Sequence, residues 1–251
     1  MEVHHHPIAI GSHTSRKKWT HYFWEFLMLF LAVFCGFLAE YQLEHKIEKE
    51  KEKQFIISLI SDLEDDTLSI TKQIDDIEKG ILLFDSLSNL LESPELAKKN
   101  GEIIYYTSRM GIRQAPLVNN SRTIDQLKNS GGFRLIHKQE TSGHIMKYYS
   151  GFPELRMIEE FFNNENVAFK AVASKIMNQA IYRIQNRADG TIARITGNLS
   201  LLTYDAIQLN QLGFYAIQMN GSRKGMIQML QNLKRSAKDL VKYLREEYYL
   251  K

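Results

Sequence analysis

Cysteine, proline and glycine are scarce in this chain, which has one, four and 14 of them among 251 residues. A single cysteine excludes a disulfide framework and a zinc site of four cysteines. So few turn-forming residues argue against a sandwich or barrel of many short strands. The net charge of only +3 is too small to indicate a nucleic-acid partner. With 44% hydrophobic and 24% charged residues, the chain is expected to fold, and to do so with long helices.

The most apolar part of the chain runs over residues 22–39, which carry a single charge at Glu25. A helix of that length spans about 27 Å, close to the hydrocarbon thickness of a bilayer. A buried core helix is the alternative, but such a helix keeps a polar stripe and this one is apolar all round. We therefore predict a transmembrane helix over residues 20–43, flanked by aromatic and basic residues (Arg16, Lys17, Lys18, Trp19, Tyr22, Trp24 and Tyr41).

The orientation of this span follows from the flanking charges. Three basic residues precede it closely, whereas the four lysines that follow within fifteen residues alternate with glutamates. Bulky Phe34 and Phe37 occupy the positions where signal cleavage needs small residues, so we expect an uncleaved signal anchor. The prediction is a single-pass membrane protein with its N-terminus cytoplasmic and its C-terminal domain on the other side of the membrane. Glu25, four residues after His21, is interpreted as an interfacial carboxylate, with a proton or ion path as the alternative.

Residues 44–92 are highly charged, contain no proline and carry a regular apolar pattern. Apolar residues recur at alternating steps of three and four, which predicts one acidic heptad stalk helix. Isoleucine at both core positions of the heptad favours three or four strands in a parallel coiled coil. Additional leucines widen the pattern and favour packing in a local bundle instead. We call the pattern the apolar stripe (Ile56, Ile60, Leu63, Ile70, Ile74, Ile77, Ile81, Phe84 and Leu91).

The rest of the chain, residues 93–251, is predicted to form a basic helical bundle. Residues 44–92 hold 13 acidic and 6 basic side chains, a balance of −7, and residues 93–251 hold 13 acidic and 23 basic, a balance of +10. Such complementary parts are expected to fold together. The sequence Asn220-Gly221 predicts a turn that makes the last two helices a hairpin. Other signals place helix starts at Ser93 and Thr123, a stop at residues 130–132, and helices over 139–149, 153–184, 203–219 and 222–249.

Four segments of the chain carry a family resemblance. They are the start MEVHHH, the span EFLMLFLAVFCGFLAEYQLEH, the stretch SRTIDQLKNSGGFRLI at residues 121–136 and the ending DLVKYLREEYYLK. The chain resembles an uncharacterised family of single-span bacterial membrane proteins typical of Bacteroidetes. The resemblance implies an N-terminal membrane anchor and a helical domain of unknown function, with no catalytic residues to carry over. With the predicted orientation, it implies the bacterial inner membrane and a periplasmic C-terminal domain. The third segment is also interpreted structurally, as a capped helix with a glycine stop whose Phe133, Leu135 and Ile136 return to a core.

Residues that could carry chemistry are few. The N-terminal histidines could hold a transition metal, although nothing there fixes a geometry (His4, His5, His6 and His13). Glu140 and His144 are expected to share a surface hydrogen bond. Asp62, Asp65 and Asp66 share a helical face, which suggests cation binding or an ordinary solvated face. Residues 221–225 combine glycines with cations but lack the strand of a phosphate loop. We therefore expect no catalytic residue, cofactor or metal site.

The function predicted from these features is a non-enzymatic, membrane-anchored module for oligomerisation or for binding another envelope protein. The alternative is an extracytoplasmic ligand-sensing bundle that works through a partner. The last helix is basic through Arg223, Lys224, Lys234, Arg235, Lys238, Lys242 and Arg245. Its expected partner is the acidic stalk, with anionic lipid or a second protein as alternatives. Membrane lipid and a homo-oligomer are the expected partners, through these contact residues: Ala32, Gly36, Ile56, Ile60, Leu63, Ile70, Ile74, Ile77, Ile81 and Phe84.

The resulting architecture is all-α. A short basic tail with histidines (1–19) precedes the transmembrane helix (20–43). That helix continues into the heptad-patterned stalk helix (44–92), which packs with a C-terminal helical bundle (93–251).

Overall fold

The structure is a computed structural model that describes residues 19–129 and 131–250. This part of the chain is helical and contains no strand, which confirms the all-α prediction there. Its α-helices are α1 (Trp19–Leu90), α2 (Pro94–Lys99), α3 (Gly101–Gly111), α4 (Arg122–Asn129), α5 (Gln139–Tyr149), α6 (Phe152–Ile176), α7 (Gln179–Gln185) and α8 (Ala206–Glu247), and a 3-10 turn covers Gly132–Leu135.

The chain divides into two compact units, Met1–Lys51 and Glu52–Lys251. In the described part of the first unit, α1 contains a window of 18 residues that is apolar enough to cross a membrane, and none of that window is buried. The His21 imidazole lies 3.0 Å from the Glu25 carboxylate, and the interfacial position of that glutamate stays a prediction. Ala32 and Gly36 are exposed, so their contact with a second span stays a prediction.

The second unit contains the hydrophobic core, and α1 contributes the apolar stripe to it. Ile74 and Ile81 of the stripe are half-buried. The other six stripe residues between positions 56 and 84 are at most 7% exposed, namely Ile56, Ile60, Leu63, Ile70, Ile77 and Phe84. The stripe packs on side chains of α6 and α8 in the same chain. The Phe84 ring, for example, stacks on Phe169 of α6 with centroids 5.0 Å apart. Burial against the chain's own helices agrees with the local-bundle interpretation.

Helix α8 runs antiparallel to α1 along this core. Arg245 near its end bonds Glu64, and Asn220 near its middle bonds Ile81 and Asp85. The buried residues of α8 recur at helical spacing along most of its 42 residues. One continuous face of α8 therefore lies against the core.

The predicted hairpin at Asn220-Gly221 is wrong, because α8 continues through both residues. Asn220 is 3% exposed, and its amide donates to the Ile81 carbonyl at 3.1 Å and to Asp85 at 2.9 Å. These two bonds to α1 use the side chain that would otherwise stabilise a turn. A glycine inside a helix costs about 1 kcal/mol, a cost that tertiary packing of this length can offset.

A further helix boundary differs from the prediction. The helix expected over 153–184 is interrupted after Ile176, because the Asn178 side chain caps α7 and its backbone N–H donates to Tyr105. The predicted Ser93 cap is confirmed, since its hydroxyl accepts from Leu96 N at 3.2 Å. That helix ends at Lys99, directly before Gly101 as expected, but Gly101 also begins α3, where a side chain would overlap the Leu199 carbonyl.

Candidate functional site

Two buried carboxylates on α1 bind the segment that leads into α4. Asp62 is fully buried and accepts from Thr123 N at 3.0 Å and from the Arg122 guanidinium at 2.6 Å. A carboxylate at a helix N-terminus binds unpaired N–H groups and interacts favourably with the helix dipole. The predicted cap by the Thr123 hydroxyl is therefore replaced by Asp62, which lies about sixty residues earlier in the chain.

Asp66 lies one turn further along α1 and is 2% exposed. It accepts from Asn120 N at 2.6 Å and from the Tyr148 hydroxyl at 2.7 Å. Burial raises the pKa of Asp66 above its usual 3.8, and the two hydrogen bonds oppose this rise. The interpretation of this aspartate face as solvated is wrong for Asp62 and Asp66, because both are buried and accept hydrogen bonds from the same chain. Of the three aspartates, only Asp65 is exposed. Asp65 lines a shallow groove of about 450 Å³ with residues 118–122.

Replacing Asp66 with asparagine tests the burial of this carboxylate through the pH dependence of stability. Because the folded-state pKa is raised, protonation of Asp66 favours folding, and this contribution is lost as the pH rises through that pKa. The asparagine oxygen can still accept from Asn120 N, so at pH 7 we expect Asp66→Asn to be at least as stable as the wild type. It should also lose less stability between pH 4 and pH 7. Urea unfolding at both pH values measures this, with exposed Asp65→Asn as the control. A large loss of stability at pH 7 would contradict the burial argument.

Glu52 on α1 bonds one residue from the middle of the second unit and one from its C-terminal end. It is 7% exposed and accepts from His137 N at 3.1 Å and from the Tyr248 hydroxyl at 2.6 Å. The His137 ring nitrogen Nδ1 lies 3.0 Å from the same carboxylate. The buried carboxylates of the acidic stalk thus accept hydrogen bonds mainly from backbone N–H groups and hydroxyls. Arg122 and Arg245 add ion pairs to Asp62 and Glu64.

Arg223 is the largest fully buried side chain in the described part of the chain. Its guanidinium donates to the carbonyls of Gly80 and Gly111 and to the side chain of Asn220 at 3.1 Å. It also lies over the rings of Phe84 and Phe162, at 4.8 and 4.9 Å from their centroids. Burial lowers the pKa of Arg223 to about 10, so the side chain stays charged at neutral pH.

The Arg223 site needs two glycines. A Cβ on Gly80 would stand 3.0 Å from the guanidinium, and one on Gly111 would overlap the ring of Phe84. Gly111 is the last residue of α3, where carbonyls lack helical partners, so Arg223 satisfies one of them. Arg223 faces the stalk as expected, since Gly80 and Phe84 belong to α1, but its bonds are not the ion pairs that the charges suggested. It bonds carbonyls rather than carboxylates, and only Arg245 among the basic residues of α8 forms a described ion pair with α1, at 2.8 Å.

The first half of α8 presents a surface without charge. Residues 206–221 are sixteen consecutive uncharged residues in a chain that is 24% charged. Ile207, Phe214 and Ile217 lie on the exposed side of this segment, with 78%, 58% and 62% of their surface exposed. Their spacing of seven and three places them on one helical face. We call residues 207, 210, 211, 214, 217, 218 and 221, all of them exposed, the uncharged face of α8.

The remaining candidates from the sequence lie apart from these sites. The N-terminal histidines are outside the described residues. The Glu140 carboxylate lies 3.7 Å from the His144 imidazole, which is too long for the expected hydrogen bond. Residues 221–225 lie inside α8, whose backbone N–H groups bond within the helix and cannot surround a phosphate. Ile136 is buried and Phe133 packs on the core, whereas Leu135 is only half-buried.

Comparison of the chain with protein-family models, with curated proteins and with solved structures finds no match. The geometry described above therefore carries the functional argument by itself.

Proposed function

We propose that this protein is a non-enzymatic helical domain, anchored in the bacterial inner membrane, that associates with a second copy through the uncharged face of α8. The observation that carries the proposal is the exposure of Ile207, Phe214 and Ile217 within sixteen uncharged residues. Loss of charge and gain of large apolar side chains distinguish interface centres from the rest of a protein surface. The exposed apolar window of α1 supplies the anchor.

A second copy fits this face better than a different envelope protein does. In a two-fold dimer the same patch meets itself, so a charged patch would repel its own copy and an uncharged one does not. The second half of α8 illustrates the contrast, because six of its nine exposed residues over 227–247 are charged. Anchoring in one bilayer also raises the effective concentration of copies relative to one another. Asn210, Gln211 and Gln218 can exchange amide hydrogen bonds at the edge of such a contact.

Replacing Phe214 with aspartate tests the association. A buried aromatic at an interface centre contributes about 2 kcal/mol, and a two-fold dimer of the variant loses two of them, so we expect about a thousandfold weaker self-association of the full chain in detergent micelles. Analytical ultracentrifugation or mass photometry measures the change. Phe161→Asp is the matched control, because Phe161 on α6 is also 55% exposed and lies outside the face. We expect this control to associate like the wild type.

Two outcomes would contradict the use of the uncharged face. If Phe214→Asp associates normally while Gly36→Ile is monomeric, the copies meet through their membrane spans. If the wild type is monomeric at every concentration, the face serves a different envelope protein, and the proposal of a second copy fails.

The proposed orientation places the N-terminus in the cytoplasm and the second unit in the periplasm. We expect a reporter fused after Lys251 to behave as extracytoplasmic. An alkaline phosphatase fusion should be active and a green fluorescent protein fusion exported through the same pathway should be dark. Removing the positive charges of Arg16, Lys17 and Lys18 should weaken this preference. Activity of the reporter only in the cytoplasm would overturn the proposed compartment.

A further inference from the structure

A second concave site lies on the surface formed by α3, α6 and α7, away from the uncharged face of α8. It is a groove of about 360 Å³, which we call the Arg109 groove. Its floor contains Phe169, Ala173 and Met177, which are at most 4% exposed. Arg109 and Lys170 line the same groove. The groove therefore combines an apolar floor with two cationic side chains, the usual composition of a small-ligand site.

The orientation of Arg109 is fixed by its neighbours. Its guanidinium donates to the Tyr182 carbonyl and to the Asn186 side chain, both at the end of α7. It also stacks on the Tyr182 ring, 4.8 Å from the centroid. These contacts use two of its five N–H groups, and the others remain available for a ligand. A guanidinium held in this way loses little conformational entropy when it binds an anion.

The positive charge of this groove is not neutralised within the described part of the chain. Neither Arg109 nor Lys170 forms one of the ion pairs found there. Burial lowers the pKa of Arg109, and the nearby charge of Arg113 lowers it further. An anion placed in the groove would relieve both effects, because it would supply the missing opposite charge.

We propose that the Arg109 groove binds a small amphipathic carboxylate, with its apolar tail on the floor and its carboxylate against Arg109 and Lys170. The apolar floor selects for a hydrocarbon tail, and the two cations select against an uncharged head group. The volume suits a tail of about six to eight carbons. This site is independent of the proposed self-association, and it would give the domain the ligand-binding capacity that the sensing alternative requires.

Octanoate is a suitable probe, tested on the full chain in phosphatidylcholine nanodiscs by equilibrium dialysis of the radiolabelled acid. Empty nanodiscs give the partition into lipid, which is subtracted. We expect one equivalent bound per chain, and about fifteenfold weaker binding of hexanoate, since each buried methylene changes affinity about fourfold. Octanol should bind at least about tenfold more weakly than octanoate, because it lacks the charge.

Substitutions at the rim locate the site without disturbing the core. Lys170→Glu reverses one of the two charges, and Ser174→Trp places a large ring in the groove, and both residues are exposed. Each should weaken octanoate binding at least about tenfold. The matched controls, Lys175→Glu and Ala171→Trp, change exposed α6 residues that do not line the groove and should bind like the wild type. Thermal unfolding verifies that all four variants are folded.

Two results would overturn the proposal. Equal binding of octanol and octanoate would show that the charge is not recognised. Unchanged octanoate binding by a folded Ser174→Trp variant would show that the ligand lies elsewhere. Self-association of these variants reports separately on the uncharged face of α8, so failure of one proposal is distinguishable from failure of the other.

Discussion

Replacing Arg223 with alanine is expected to destabilise the second unit by at least about 3 kcal/mol. The substitution leaves the Gly111 carbonyl and the Asn220 amide oxygen without their buried donor, whereas the Gly80 carbonyl lies inside α1 and keeps its helical partner. Each buried acceptor left unpaired costs about 1–3 kcal/mol. The change also opens a cavity between the rings of Phe84 and Phe162, which adds to the loss.

Lysine at the same position separates charge from geometry. Arg223→Lys keeps the positive charge but lacks the planar fork that bonds two carbonyls at once, so we expect it to recover only part of the lost stability. The exposed neighbour Lys224 provides the control, and Lys224→Ala should change stability by no more than about 0.5 kcal/mol. Urea unfolding of the full chain in detergent micelles, followed by circular dichroism, measures all three. If Arg223→Ala and Lys224→Ala unfolded at the same urea concentration, the structural role of Arg223 would be refuted.

Replacing Ile77 with aspartate is expected to have an effect of similar or larger size. Ile77 is 1% exposed and lies in the middle of the apolar stripe, so the new carboxylate would be buried without a partner. We expect a loss of several kcal/mol, which is enough to unfold many domains of this size. The same change at half-buried Ile74 should cost less, because its carboxylate can reach water.

Leu82 provides the matched control for this experiment. It lies on the same helix and is 69% exposed, so Leu82→Asp should leave stability nearly unchanged. Sedimentation together with thermal melts then separates two roles of the stripe. If Ile77→Asp gave a folded monomer from an oligomeric wild type, the stripe would join copies rather than fill the chain's own core. Unchanged melting together with unchanged mass would contradict both roles.

The apolar stripe could be predicted from the sequence because it depends on local periodicity alone. Residues three and four apart lie on one face of any helix, whatever that face contacts. At the two gaps in the stripe, Asp66 and Leu87 are buried, whereas the neighbouring Thr67 and Ser88 are half-buried. The burial of Asp66 has one signal in the sequence, namely its position four residues before Ile70 on the stripe.

The polar sites could not be predicted, because they depend on pairs that are distant in sequence. Asn220 and Arg223 have the local sequence of a turn, and only their bonds to Ile81 and Gly80 of α1 place them inside a helix. Thr123 has the local sequence of an N-cap, yet Asp62 performs that role. The Arg109 groove likewise joins α3 to α6 and α7, and no spacing along the chain indicates that contact.

The order in which the chain is synthesised gives the long-range bonds of α1 a further consequence. The bonds from Glu52 to Tyr248, Glu64 to Arg245 and Gly80 to Arg223 join residues 196, 181 and 143 positions apart. During translation the apolar stripe is therefore made long before α8, its covering helix, leaves the ribosome. Contacts of such separation slow folding and leave apolar surface open to aggregation meanwhile. A nascent chain that has not reached α8 cannot complete the burial of its stripe, so apolar side chains of α1 stay exposed until this last helix emerges.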